Sequence, residues 1–157
     1  MFTQCPNCDT TFQVTADQEF SKVIKACAGP RTQSPGAGTW ITEEMTETYT
    51  QLYQMGYGHS IEVWNDDKLV GGLYGLALGS AFFGESMYSH VPNASKIALV
   101  YLAKFASSNG IDFIDCQLPS DHLTSMGAIN ISRKKYLAIL QDALKHEDLT
   151  EHWSLDV

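Results

Sequence analysis

The sequence predicts one mixed α/β domain in which an antiparallel meander leads through a crossover helix into a further strand. Three observations point there. Strand-type runs follow one another between residues 60 and 88, separated only by short turn signals. The best helical period in the chain comes next, and the short apolar run 113–117 follows it, so this helix connects strands. With 157 residues, 44% hydrophobic and 18% charged, the chain can bury a core of its own and is not composed like a disordered segment.

Taken in order, residues 1–12 show no clear periodicity, and the first 11 read as a separate start. Thr15-Ala-Asp-Gln18 has the form of a capping box, and Phe20, Val23, Ile24 and Cys27 follow at helical spacing, which predicts a helix over 16–27. Residues 29–38 are rich in Gly, Pro and Ser and read as a loop. Thr42 caps the next helix, Glu43 and Glu44 suit its dipole, and Met45, Tyr49, Leu52 and Tyr53 form its stripe before Gly56. The meander strands are Ser60–Trp64, Leu69–Leu78 and Ala81–Tyr88, with turns at Asn65-Asp66-Asp67 and Gly79-Ser80. Asn93 or Ser95 opens the crossover helix, with Ile97, Val100, Tyr101, Lys104 and Phe105 on its face, and Asn109-Gly110 ends it. Phe113–Gln117 is a short strand, Ser120–Met126 a helical turn stopped by Gly127, and 133–145 a last helix facing inward through Tyr136, Leu137, Leu140 and Leu144. One domain therefore spans 12–146, and 147–157 is expected to be a loose acidic tail. This is the layout of the acetyltransferase-like (GNAT-like) superfamily.

Two features carry chemistry. Glu85 stands in an apolar, aromatic strand, where an unpartnered carboxylate would cost several kcal/mol, so it faces a polar cleft or has a dedicated donor. Alternation places it with Phe83 and Met87, and puts Phe82, Gly84, Ser86 and Tyr88 on the other face. Asp115 and Gln117, two apart on one strand, are expected side by side, a pair suited to activating an amine rather than to covalent catalysis. Cys116 would then point into the core. Gly71, Gly72 and Gly75 lie within a strand and open no helix, so they are no dinucleotide fingerprint but admit a ligand or another backbone. His59, His90 and His122 are isolated and read as structural or solvated, while Trp40 and Trp64 are expected to be partly buried.

Cys5 and Cys8 have the spacing of half a zinc knuckle, but Cys27 and Cys116 are too isolated to complete it; the half-motif is expected to be inert rather than metal-binding. No Gln/Arg-x-x-Gly-x-Gly/Ala turn precedes a helix, which disfavours coenzyme A, and no cofactor is expected. The net charge of -8 argues against broad contact with a phosphate backbone, and Arg133, Lys134 and Lys135 form the one compact basic cluster. No apolar run reaches the ~20 residues of a membrane span and the start is unlike a signal peptide, so a cytoplasmic protein is expected.

Together, Gly38-Thr-Trp-Ile41, His59-Ser-Ile-Glu-Val-Trp64, Leu69-Val-Gly-Gly-Leu-Tyr-Gly75, Gly84-Glu-Ser-Met87, Ala94-Ser-Lys96, Ile114-Asp-Cys-Gln117 and Leu123-x-x-x-Gly-Ala128 resemble, in order and spacing, the bacterial leucyl/phenylalanyl-tRNA–protein transferases from about Phe12 to about Leu140. The resemblance implies transfer of Leu or Phe from aminoacyl-tRNA to a protein with N-terminal Arg or Lys, marking it for degradation by the N-end rule, with neither metal nor coenzyme A. It implies that Asp115 and Gln117 orient and deprotonate the attacking α-amine, and that Glu85, in the Gly84-Glu-Ser86-Met87 stretch with Ser86 and Met87 beside it, meets the aminoacyl end of the donor. Leu73, Phe82 and Ile114 would line the apolar slot for the Leu or Phe side chain, and Trp40 would stack near the terminal adenosine. The family also carries an N-terminal segment with Phe-Pro-Trp and Trp-Trp-Ser-Pro stretches and a basic region for tRNA, in whose place stands Met1–Thr11, which resembles half a zinc ribbon. The chain thus reads as a truncated or fused version, expected to bind tRNA weakly and to work with a missing segment or partner subunit. The alternative is an impaired or partner-dependent module that binds N-terminal Arg or Lys.

Overall fold

A computed structural model describes residues 1–4, 10–29 and 40–155. Cys5 and Cys8, and the loop expected at 29–38 apart from Gly29, lie outside them. The described elements run β1 (Phe2–Gln4), β2 (Thr11–Ala16), α1 (Phe20–Ala28), α2 (Glu43–Gln54), β3 (Gly58–Asn65), β4 (Lys68–Leu78), β5 (Ala81–Ser89), α3 (Ala94–Ser108), β6 (Phe113–Asp115), α4 (Asp121–Ser125) and α5 (Arg133–Ala143). The strands form one sheet in sequence order, antiparallel from β1 to β5, with β6 added parallel to β5 after the α3 crossover. The expected meander, crossover and final strand are all present.

Two cores flank the sheet. On one face α3 packs on β3 and β4 over Val14, Ile61, Val63, Leu73, Ala77 and Phe82. On the other, α1 and α2 cover Tyr74 with Phe20, Val23, Ile24 and Ile41. Two glycines of β4 are steric requirements of this packing. A Cβ on Gly71 would lie 2.5 Å from that of Ala94, where α3 starts. One on Gly75 would lie 2.1 Å from the Phe83 carbonyl oxygen. The protein itself fills the space at both, through the Ala94 methyl at Gly71 and the Phe83 backbone at Gly75.

Several expectations need correction. Thr15 caps no helix. It pairs with Glu62 in the β2–β3 ladder and its hydroxyl donates to the Glu62 carboxylate, while α1 begins after Glu19 with no side-chain cap. Long-range sheet pairing has overridden a local capping pattern. In α3 the buried face is Ala94, Ala98, Tyr101, Leu102 and Ala106, while Val100 is exposed; small residues let the helix approach the glycines of β4. In α5 only Ala143 is buried, and Leu137 and Leu144 are exposed. The tail is not loose through Leu155: Trp153 is buried between His59 and Phe105, stacked at 3.9 and 4.3 Å between centroids.

Candidate active site

The sheet opens where β5 and β6 part. Their parallel pairing covers only Ala81–Phe113, Phe82–Ile114 and Phe83–Asp115. Beyond it β6 ends. On the other side of β5 the register with β4 slips: Tyr74 faces Ser86 and Gly75 faces Gly84, so Glu85 is the extra residue of a β-bulge. A bulge re-aims side chains, and it resets the alternation expected for this strand. Met87 packs with the α3-side core, whereas Tyr88 packs with the α1/α2-side core. Glu85 lies toward the latter, its carboxylate close enough to the Tyr49 phenol of α2 to raise that phenol's pKa. Burial, followed by this carboxylate, holds the Tyr49 phenol far above the ordinary range. Tyr74, in edge contact with Tyr49 at 5.3 Å, keeps a buried hydroxyl with no partner.

Asp115 ends β6 and is half-buried. Its Oδ1 accepts from the Gln117 backbone N–H at 2.8 Å, and its Oδ2 accepts from the Tyr136 hydroxyl at 2.8 Å. The first bond is an Asx-type turn, and it stops the strand. Gln117 consequently has φ 62° and an exposed side chain, so the two side chains do not share a strand face as expected. The pair is adjacent through a turn instead. Tyr136 comes from α5, whose start is set by Ser132 accepting from Lys135 N–H at 3.3 Å. Phe113 meets its ring edge-on at 6.3 Å. The carboxylate, ahead of burial, raises the Tyr136 pKa.

A cleft of about 860 Å³ lies on this side, walled by α3, the chain after β6, α4 and α5. Ile114, Asp115, Cys116, Gln117 and Tyr136 line it, with Arg133 and Lys135 also in its wall. Cys116 is therefore in the cleft wall rather than the core; burial and then Asp115 raise its pKa, which disfavours the nucleophilic thiolate. The cleft gathers Ile114, Asp115 and Gln117 and leaves the other expected residues outside its lining. Leu73 and Phe82 are close-packed core, while Ser86 and Met87 are half-buried on the bulged strand. Trp40 is 47% exposed ahead of α2. Tyr49 and Tyr136 were legible only as apolar-stripe residues, because nothing in the sequence ties residue 49 to 85 or 136 to 115.

Among the described residues no group of three or more His, Cys, Asp or Glu is placed to hold a metal, and no helix is long and apolar enough to cross a membrane. His59 is structural: Nδ1 lies 2.7 Å from Asp17 Oδ2 and Nε2 3.1 Å from the Leu149 carbonyl oxygen.

Similarity to known proteins fits this geometry. In fold, the chain resembles a ribosomal-protein-alanine N-acetyltransferase from Brucella melitensis, with TM-score 0.54 and 15% identity over 77% of this chain and 93% of that one. It also resembles a soil-metagenome aminoglycoside acetyltransferase in complex with sisomicin, with TM-score 0.51 and 10% identity over 93% and 96%. The acetyltransferase-like fold is thereby established. In sequence, it is 53% identical over 145 residues to the leucyl/phenylalanyl-tRNA–protein transferase of Legionella pneumophila strain Corby, covering 92% of this chain and 64% of that protein. The enzyme of the same name from Thermodesulfovibrio yellowstonii is 48% identical over 146 residues, covering 92% and 59%. The chain thus spans about 60% of the length of these relatives. The family model for leucyl/phenylalanyl-tRNA protein transferase matches residues 6–141, and the chain belongs to that family.

Proposed function

We propose that this chain is an aminoacyltransferase domain that moves Leu or Phe from aminoacyl-tRNA to the N-terminal Arg or Lys of an acceptor protein, in the cytoplasm. Family membership and the carboxylate of Asp115 support the reading. Asp115 lines the cleft with one donor on each oxygen. A carboxylate has about four lone-pair sites, so two remain for an incoming ammonium group. In the reaction the acceptor's α-amine attacks the ester carbonyl of the donor. A peptide C–N bond forms, the C–O bond to the terminal ribose breaks, and the proton leaving nitrogen ends on the departing oxygen. Asp115 attracts and orients the amine and accepts its proton in passage, and Gln117 steadies the same amine from the turn. Glu85, close to Tyr49, meets the donor's aminoacyl group from the bulge of β5, with Ser86 and Met87 next to it in sequence. Ile114, with Leu73 and Phe82 behind it, shapes the apolar slot, and Trp40 stacks on the terminal base.

Incubation with labelled Leu-tRNA and an Arg-initiated acceptor tests the proposal. Label is expected to reach the acceptor and to fall at least about 100-fold with Asp115→Ala, within the range removal of a general base produces. No transfer by folded protein, or full transfer by the variant, would reject the assignment.

A further inference from the structure

The carboxylate proposed to meet the acceptor amine is held by a side chain that the family resemblance assigns no role. Tyr136 reaches Asp115 across 21 residues of sequence, and its hydroxyl has the carboxylate Oδ2 at 2.8 Å. The contact is prepared on both sides. Ser132 caps α5 one turn before Tyr136, and Phe113, two residues before Asp115 on β6, braces the phenol ring edge-on. Tyr136 and Asp115 both line the cleft, so the bond lies in the cleft wall, part-buried, and not in the core. A hydrogen bond to an ionised acceptor is among the stronger single contacts a side chain makes. Here it opposes the Gln117 N–H on the other oxygen, and the two donors together leave the carboxyl plane one orientation.

From this juxtaposition we infer that Tyr136 is a positioning residue of the transfer reaction, acting through Asp115 by fixing the orientation of its carboxylate toward the acceptor amine. The inference rests on the transferase reading above. A purely structural Tyr136 would serve only to dock α5 on β6, and a phenylalanine braced by Phe113 would replace it. A positioning Tyr136 needs its hydroxyl.

Transfer kinetics for the wild type, Tyr136→Phe, Asp115→Asn and the double variant separate the two. Tyr136→Phe is expected to lower kcat about 10-fold with donor KM unchanged, the scale of one charge-assisted hydrogen bond. It is expected to cost nothing further on the Asp115→Asn background, where no charged group remains to be oriented. Wild-type kcat in Tyr136→Phe, or losses that simply multiply in the double variant, would overturn the inference while leaving the transferase reading intact. A second readout is independent of turnover. With the Tyr136 ring carbon labelled, NMR titration of the phenol should move toward the ordinary tyrosine value in Asp115→Asn. If the wild type transfers nothing, the transferase reading fails and the positioning role falls with it, whereas transfer by the wild type with a shift retained in Asp115→Asn shows no tether and rejects the role alone.

Discussion

Buried polar side chains set the most specific constraints at the scale of single residues. Glu62 is fully buried in β3 and accepts from the hydroxyls of Thr15 and Ser60. Burial, ahead of any relief from these donors, raises its pKa above the ordinary 4.5. The folded state therefore binds this proton more tightly than the unfolded chain. Its contribution is fully present below about pH 4.5 and declines as pH rises through the folded value. Glu62→Gln should flatten the pH dependence of stability, which thermal unfolding between about pH 5 and about pH 7.5 would measure; an unaltered slope would show that Glu62 is not the group responsible. Asp17, in a left-handed conformation at φ 53°, gathers Ser60 N–H, His59 and Trp153 N–H on one carboxylate. The sequence shows each of these residues but not that one carboxylate serves both β3 and the C-terminal segment.

Secondary-structure elements were the most legible level of this chain where their signals are local. Thr42 accepts from Met45 N–H, Ser120 from Leu123 N–H and Ser132 from Lys135 N–H, and the helices they open stand where caps and periodicity place them. The capping-box pattern at Thr15 and the five-residue strand at 113–117 went otherwise. In the first case a strand partner from 47 residues away took the hydroxyl, and in the second an Asx-type turn ended the strand early. The bulge at Glu85 is a property of the β4–β5 pair, so alternation along β5 alone misplaces Met87. Gly75 lies opposite the bulge and leaves no room for a methyl group. Gly75→Ala should destabilise the fold by roughly 1–3 kcal/mol or more, as overpacking does, in chemical denaturation. Glu85 should also move away from Tyr49, visible as a fall in the Tyr49 phenol titration. Wild-type stability would mean that β5 can shift to accommodate the methyl.

At the level of the whole molecule, the chain after α5 closes the fold. Trp153 lies 136 residues from Asp17, to which its backbone N–H donates at 2.7 Å, and its ring fills the α3-side core against His59, Phe82 and Phe105. A segment with this composition would otherwise be an acidic surface tail. Trp153→Ala should cost about 3–5 kcal/mol, the usual scale for a buried large aromatic side chain, in urea unfolding. A loss under about 1 kcal/mol would mean the ring packs only loosely. The same segment meets the β4–β5 turn, where Gly79 N–H donates to Asp148 and Ser80 N–H donates to the Ala143 carbonyl oxygen. α5 is thus fixed at its C-terminal end by this turn and near its N-terminal end by Tyr136 on Asp115, with little apolar burial between.

By itself the sequence determined the β3–β5 meander with its crossover helix and the family, because capping, periodicity and turn chemistry act over a few residues and motif order is written directly in the chain; β1 and β2 carry no such local signal and were not expected. Only the tertiary structure decided that Tyr136 meets Asp115, that Gln117 leaves the strand in a turn, that Leu73 and Phe82 are packed core outside the cleft lining, and that Trp153 belongs to the interior. Those outcomes depend on register shifts and on contacts between distant segments, where one side chain's partner is set by how the whole sheet pairs and no local pattern encodes the choice.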